Sequence, residues 1–105
     1  MTQRNSYEKN GVVITPAIPH PNKCITVTYN GLLTESGATD LYAHVGFDRE
    51  WRREHDYKMA QLSNCFQVDI PIQYADTVNI AFKDGANNWD NNSGHNYTFG
   101  VATLR

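Results

Sequence analysis

The sequence predicts an all-β fold, an antiparallel β-sandwich, and three observations lead to that prediction. Five or six short segments alternate apolar and polar residues with a period of two, which is the pattern of half-buried strands. Gly, Pro and Asn turns separate these segments, and no stretch requires a helix of more than about one turn. A chain of 105 residues, 40% of them hydrophobic, has the size of one domain with one core. Two sheets of such short strands predict a sandwich of immunoglobulin-like type.

The N-terminal part of the chain differs in composition from the rest. Residues 1–22 form a polar, proline-rich extension, in which the β-branched run at 12–15 has the composition of a short edge strand. The module proper is predicted over residues 23–105. It begins with an alternating strand at 24–29, which ends at the turn signal Asn30-Gly31.

A second strand is predicted at residues 41–47, and it decides which side chains face outward. The odd-numbered positions from Leu41 to Phe47 are all apolar, so they must face the core. His44 lies between them and is therefore predicted to point outward.

The segment 48–59, DREWRREHDYKM, is the densest in charge and has no clear periodicity. Glu54 and Lys58, four residues apart, favour a helix, yet the apolar residues of the segment make no continuous stripe. We interpret it as a loop with about one helical turn. Further strands are predicted at 64–70, at 77–83 and from Tyr97 onward, where the alternation returns.

The stretch from Lys83 to Tyr97 contains five Asn, two Asp and two Gly. These residue types tolerate tight turns and left-handed backbone, so the stretch is predicted to be a shaped loop rather than helix or regular strand. Trp89 lies at its centre. An exposed indole requires either a core or a ligand to meet.

Charge and hydropathy restrict the partners. A formal net charge of -2 and a pI near 6.0 argue against a nucleic-acid or membrane-surface binder. The chain has no apolar run of the roughly 18 residues that a membrane span needs, and its first residues have no signal-peptide character. The expected location is therefore cytoplasmic if these residues are the whole protein, and extracellular if they are a module of a secreted enzyme.

The two cysteines, Cys24 and Cys65, are too few for a disulfide framework and are not arranged as a CxxC pair. Two reduced thiols are the favoured interpretation. A single bridge between neighbouring strands is the alternative.

Three aromatic side chains suggest a binding surface for neutral carbohydrate. Aromatic rings pack against the apolar C–H face of a pyranose, while amides and imidazole hydrogen-bond its hydroxyls. The candidates are His44 on its strand, Trp51 in the segment that follows, and Trp89 in the Asn-rich loop.

Other functions have weaker support. Asp84, Asn88, Asp90 and Asn92 are oxygen donors at short intervals, but a calcium loop would need more carboxylates and a terminal Glu, so no metal is expected. No nucleophile motif, phosphate loop or enclosed carboxylate pair supports catalysis, and no cofactor is implied. The alternative function is a structural or protein-interaction β-sandwich with a calcium-stabilised Asn/Asp loop.

The chain resembles the family 25 carbohydrate-binding modules, which are starch-binding β-sandwich modules. The similar parts run from about residue 23 to the C-terminus and include Tyr42 to Phe47 with Trp51, Tyr57-Lys58-Met59, and above all FKDGANNWDNNSGHNY. The last segment is specific, whereas each of the others alone is weak.

The resemblance implies a noncatalytic module for starch, glycogen or malto-oligosaccharides, which would work with a glucan-active enzyme. The family's ligand platform of one His and two Trp falls on His44, Trp51 and Trp89. Asn92 and Asn96 occupy matching motif positions and are further expected ligand-binding residues. Asp90 and Tyr97 are expected to hold the loop.

Overall fold

The computed structural model describes residues 7–102, which form two antiparallel β-sheets packed on one core. The predicted all-β sandwich is confirmed. The nine strands of these residues are β1 Val12–Thr15, β2 Cys24–Tyr29, β3 Leu41–Phe47, β4 Arg52–Lys58, β5 Ala60–Gln61, β6 Phe66–Pro71, β7 Thr77–Asp84, β8 Trp89–Asp90 and β9 Tyr97–Gly100. A 3-10 turn at Glu8–Asn10 and a four-residue helix α1 at Leu32–Glu35 complete them. Neither of these helical segments in residues 7–102 has the length or apolar character to cross a membrane.

The first sheet has the strand order β1-β2-β6-β5. The edge strand β1 pairs with β2 and places Val12 and Ile14 in the core, so this part of the N-terminal extension belongs to the sheet. Strands β2 and β6 pair over their whole length, with Ile25 opposite Ile70. The period-two patterns predicted at 24–29 and at 64–70 therefore correspond to the paired strands β2 and β6.

The second sheet has the order β4-β3-β7-β8, and β9 also pairs with β7. The strand β7 is long enough to hold two partners on one edge: β9 pairs with its first half and β8 with its second half. The connection between these two short strands, residues 91–96, must therefore turn back at the sheet edge. The Asn-rich segment is built around that turn.

The core lies between the two sheets. Side chains from the first sheet, such as Val27 and Tyr29, meet Leu41, Val45 and Phe82 of the second, and all five are at most 1% exposed. Tyr29 and Phe82 stack with ring centroids 4.2 Å apart. Because the apolar face of β3 is taken up by this core, its other face carries His44 outward, as predicted.

The interpretation of residues 48–59 as a loop with a helical turn is wrong. After a short turn, Arg52–Lys58 forms the edge strand β4, which pairs with β3 from Tyr42↔Lys58 to Phe47↔Arg52. An edge strand is solvated along its length, and only Tyr57 in β4 is partly buried. The apolar alternation that normally reveals a strand is therefore missing, and pairing with β3 imposes the conformation.

The prediction of an irregular loop from Lys83 to Tyr97 is also partly wrong. Strand β7 continues to Asp84, and Trp89–Asp90 forms β8. Left-handed backbone appears at five positions of the segment, which fits its Asn and Gly content: Asn87, Asn92, Ser93, Gly94 and Asn96. The segment thus consists of two tight turns around a two-residue strand.

Both cysteines are free thiols. Cys24 begins β2 and Cys65 precedes β6, and these two strands are neighbours, as the bridge hypothesis required. However, Cys24 lies opposite Pro71 at one end of the β2–β6 pair, while Cys65 precedes Phe66 at the other end. Five residues of strand separate the two ends, about 17 Å at the rise of a β-strand, so the two sulfurs cannot bond.

Candidate functional site

The outer face of the second sheet carries an open groove of about 520 Å³, here called the aromatic groove. It is lined by His44, Glu50, Trp51, Glu54, Ala81, Trp89, Asn91 and Asn96. Four residues predicted as ligand-binding, His44, Trp51, Trp89 and Asn96, therefore meet in one place although they are spread over half of the sequence.

The floor of the groove is formed by the two central strands of the sheet. His44 of β3 lies directly opposite Ala81 of β7. Ala81 points to the outer face, yet only 3% of it is exposed. A small side chain at this position leaves space above the sheet, and the aromatic rings close around that space.

Trp51 reaches the groove from the turn between β3 and β4. Its indole lies over Gly46, and a Cβ added to this glycine would come within 2.4 Å of Trp51 Cε3. Gly46 is thus needed for close approach of the ring. The backbone of Trp51 has a left-handed φ of 55°, which is unusual for so large a residue and stores strain of roughly 1–3 kcal/mol.

The turn before Trp51 is held by the side chain of Asp48. Its Oδ1 accepts hydrogen bonds from the backbone N–H groups of Asp76 (2.8 Å) and Thr77 (3.2 Å), and its Oδ2 pairs with Arg52. The hydrogen bond from Arg52, followed by that from Asp76, keeps the pKa of Asp48 below its ordinary value. The buried Asn79 amide also donates to the Asp48 carbonyl at 2.7 Å. The turn is therefore fixed to β7 by polar contacts.

Trp89 reaches the groove from β8 and is 41% exposed. Its neighbour Asp90 points the other way, into the core, where it accepts hydrogen bonds from the hydroxyls of Tyr29 at 2.6 Å and Tyr97 at 2.8 Å. Burial, followed by the hydrogen bond to Asp90, raises the pKa of both tyrosines. The expectation that Asp90 and Tyr97 hold this region is confirmed by these contacts.

The hairpin that leads into Trp89 is shaped by its own polar side chains. The Asp84 carboxylate accepts hydrogen bonds from the backbone N–H groups of Ala86 and Asn88 and from the Asn88 side chain. These bonds lower the pKa of Asp84, and the hydrogen bond from the Asn88 side chain has the largest effect on it. Trp89 Nε1 donates to Asn87 Oδ1 at 3.2 Å, which fixes the rotation of the indole.

The three rings form one cluster with His44 in the middle. The imidazole stacks on Trp51 (centroids 5.4 Å apart, planes 24° apart) and meets Trp89 edge to face (5.5 Å, 89°). The two indole planes are consequently inclined to each other by about 65° or more, the difference between those two angles. Both indoles line the same groove.

Both nitrogens of His44 are engaged by carboxylates of β4. Nδ1 lies 2.5 Å from Asp56 Oδ1, and Nε2 lies 3.0 Å from Glu54 Oε2. Asp56 also pairs with Lys83 at 2.6 Å, and the Lys83 ammonium lies 5.4 Å from the centroid of the Trp89 ring. Partial burial acts against ionisation of Asp56, but the hydrogen bonds from Lys83 and His44 outweigh it and lower its pKa. His44 is thereby fixed in orientation.

These supporting residues were missed by sequence reasoning. Glu54 and Asp56 lie on the outer face of β4 because they alternate in a strand. That alternation is present in the sequence, but it is recognised only once residues 52–58 are known to be a strand.

Asn96 and Asn92 have different positions. Asn96 lines the aromatic groove, whereas Asn92 does not. The Asn92 side chain donates to the Asn96 carbonyl at 3.1 Å, and so it stabilises the 91–96 turn. Asn91, which was not predicted, does line the groove. The sequence contained no signal that would distinguish among these amides.

Nothing in residues 7–102 brings three or more His, Cys, Asp or Glu side chains together in an arrangement that could hold a metal ion. The carboxylates of the Asn-rich segment, Asp84 and Asp90, are occupied by hydrogen bonds from their own surroundings. Asp84 thus satisfies the backbone of its own turn, whereas Asp90 accepts hydrogen bonds from tyrosine hydroxyls of the core.

Comparison with known proteins matches this chain to a carbohydrate-binding family and to two amylases. A family model described as a starch/carbohydrate-binding module (family 53) matches residues 25–80. An alpha-amylase of Clostridium acetobutylicum is 35% identical over 89 residues, which are 84% of this chain and 11% of the amylase. A beta/alpha-amylase of Paenibacillus polymyxa is 36% identical over 55 residues, 50% of this chain and 5% of that protein. No solved structure matches the chain.

These matches first define a class, that of the noncatalytic carbohydrate-binding modules. Because the family model covers more than half of the residues, the chain belongs to family 53 of the starch/carbohydrate-binding modules. The predicted assignment to the starch-binding modules is confirmed at this level, whereas the resemblance to family 25 in particular is not. The chain spans about a tenth or less of the length of the two amylases.

Proposed function

We propose that the aromatic groove binds α-1,4-linked glucan, as starch, glycogen or malto-oligosaccharides, by stacking glucose units on Trp51 and Trp89. The observation that carries this proposal is the convergence of two inclined indoles on one open groove of the second sheet. Membership in a starch-binding family supports the choice of ligand.

The geometry suits a curved chain of sugars. Each pyranose has an apolar C–H face that packs on an aromatic ring. An α-1,4-linked chain turns as it extends, so successive glucose units present their faces in different directions. Two indoles inclined by about 65° or more can accept two such units, whereas coplanar rings would suit a flat chain.

The polar groups of the groove fit hydroxyl recognition. The amides of Asn91 and Asn96 and the carboxylate of Glu50 line it beside the rings. Both nitrogens of His44 are engaged by Glu54 and Asp56, so this residue contributes only the face and edge of its ring to the cluster. We expect this residue to fix the angle between the indoles, with the amides making most of the direct hydrogen bonds.

An open groove of this kind provides moderate affinity. Two stacked rings and a few water-exposed hydrogen bonds correspond to a dissociation constant in the micromolar to millimolar range, about -8 to -4 kcal/mol. The two amylases among the relatives suggest that the module acts beside a glucan-active enzyme and keeps it at its polymer.

The test is affinity electrophoresis in native gels with and without amylopectin. We expect amylopectin to retard the wild-type protein, and Trp89→Ala to remove the retardation because it removes one stacking face. Tyr74→Ala is the matched control, since Tyr74 is a 59% exposed aromatic residue that lies outside the aromatic groove. Unretarded migration of the wild-type protein, or equal loss in both variants, would contradict the proposal.

Tryptophan fluorescence distinguishes this function from a calcium-stabilised interaction module. We expect maltoheptaose to shift the emission and calcium to leave it unchanged, because Trp51 and Trp89 are the only tryptophans in the chain and both line the groove. A response to calcium alone would favour the alternative.

A further inference from the structure

A second groove of about 450 Å³ lies beside the aromatic groove, and we call it the side groove. Its lining includes Lys9, Asn30, Leu32, Glu35 and Asp90. Trp89 and Asn91 line both grooves. The two grooves therefore adjoin at these two residues.

The walls of the side groove are fixed to each other through the core. The hydroxyl of Tyr29 accepts a hydrogen bond from the Leu33 N–H of α1 at 3.0 Å and donates to Asp90 of β8 at 2.6 Å. One buried hydroxyl thus links the helix on one side to the strand that carries Trp89 on the other. The groove is preformed, so a ligand would not have to order its walls.

The lining suits a neutral, hydroxylated ligand. The side groove has one exposed cation, Lys9, and one exposed anion, Glu35, while the Asp90 carboxylate is occupied by tyrosine hydroxyls. This lining gives no net attraction for a phosphate. The exposed amide nitrogen of Asn30 can donate to a sugar hydroxyl. Its Oδ1 accepts a hydrogen bond from the Thr34 hydroxyl at 2.9 Å and has a second acceptor position.

An apolar side chain completes the resemblance to a sugar subsite. Leu32 of α1 is 58% exposed and lines the side groove. An exposed leucine between amides provides a surface on which the C–H face of a pyranose can pack. The side groove thus repeats, with an aliphatic residue, the combination of apolar and amide groups found in the aromatic groove.

We propose that the side groove is a further subsite of the glucan-binding site, which takes the glucose units that continue past Trp89 and Asn91. This inference rests on the proposed function, since it assigns the direction and length of the same ligand. The consequence is a preference for longer chains: a short oligosaccharide fills the aromatic groove, and a longer one also contacts Leu32 and its neighbours.

The experiment compares maltotriose with maltoheptaose by isothermal titration calorimetry. Leu32→Arg places a bulky charged side chain in the side groove, and we expect it to weaken maltoheptaose binding about fivefold and maltotriose binding less than about twofold. Longer chains also gain affinity because they can bind the aromatic groove in several registers. That gain is the same in both proteins, so the effect of the substitution is decisive.

Two further variants make the result interpretable. Glu35→Arg changes another exposed residue of the side groove and should act in the same direction. Leu62→Arg is the matched control, because Leu62 is 46% exposed and lines neither groove, and it should bind both sugars as the wild type does.

The outcomes separate the subsite from the function on which it rests. If Leu32→Arg and Glu35→Arg bind maltoheptaose with wild-type affinity, the subsite is excluded while glucan binding by the aromatic groove stands. If the wild-type protein binds neither sugar, the proposed function fails and the subsite fails with it.

Discussion

Trp51 and Trp89 face the same groove but are supported in opposite ways. Trp51 is half-buried, lies directly on Gly46 and has left-handed backbone in a turn. Trp89 is 41% exposed and has regular strand pairing, with Lys83 opposite it on β7. Trp51 is fixed by its contact with Gly46, and Trp89 is fixed by the pairing of β8 with β7.

The polar groups behind the two rings also differ. The turn of Trp51 depends on Asp48, a surface carboxylate that pairs with Arg52 and accepts hydrogen bonds from backbone amides. The strand of Trp89 depends on Asp90, which is 6% exposed and accepts hydrogen bonds from two buried tyrosine hydroxyls. Ion pairs at the surface are weak, whereas buried polar networks are costly to break. The polar contacts behind Trp89 should therefore contribute more to the free energy of unfolding than those behind Trp51.

The largest expected effect follows from Asp90→Ala. The substitution leaves the buried hydroxyls of Tyr29 and Tyr97 without their acceptor, and we expect the free energy of unfolding to fall by about 3 kcal/mol. Urea denaturation measures it.

The matched control for this variant is Asp69→Ala, which removes an exposed carboxylate that accepts a hydrogen bond from Thr26 at 2.7 Å. We expect a change within about 0.5 kcal/mol. Similar losses in the two variants would mean that burial of the Asp90 network does not distinguish it from a surface contact.

An intermediate effect is expected from Gly46→Ala, which acts on the other ring. The new Cβ would lie 2.4 Å from Trp51 Cε3, so the indole must shift from its place beside His44. We expect maltoheptaose to bind about tenfold more weakly, with a smaller loss of stability than in Asp90→Ala. Calorimetry and near-ultraviolet circular dichroism check the two effects.

Gly100→Ala provides the control for that substitution, because a Cβ there meets nothing within 4 Å. Its affinity for maltoheptaose should match the wild type. Unchanged binding in Gly46→Ala would show that Trp51 does not need its position over the glycine.

The smallest expected effect is a pH dependence that differs between the polar contacts behind Trp51 and those behind Trp89. The pKa values of Tyr29 and Tyr97 are raised by burial and by Asp90, so their contribution is complete below pH about 10 and is lost as pH rises. The pKa of Asp48 is lowered, chiefly by Arg52, so its contribution is complete above pH about 4 and is lost as pH falls. Alkali should therefore loosen Trp89 first, whereas acid should act on both sides, because the pKa of Asp84 in the hairpin before Trp89 is lowered as well.

Two single-tryptophan variants measure this difference. Trp51→Phe reports the emission maximum of Trp89, and Trp89→Phe reports that of Trp51. At pH 11, in urea below the unfolding midpoint, we expect the emission of Trp89 in the first variant to change more than that of Trp51 in the second. Equal shifts of both rings at pH 11 would argue that the domain responds as a whole.

Much of the fold was predictable because the central strands have one buried face. Alternation located β2, β3 and β7, and the phase of β3 alone turned His44 outward. The polar surroundings of Trp89 predicted a loop but left open whether its indole meets the core or a ligand. Strand β4 was not predictable in this way, because at the sheet edge neither face is fully buried and no periodicity results.

The sequence by itself determined the alternating strands, the outward side of His44 and the turn-forming character of residues 83–97, since each depends on local backbone preference or on a period of two. Only the tertiary structure decided which outward residues meet. Pairing of β3 with β4 brought Glu54 and Asp56 to His44, and the open space over Gly46 admitted Trp51. Such contacts depend on register between strands distant in sequence, which no local pattern encodes.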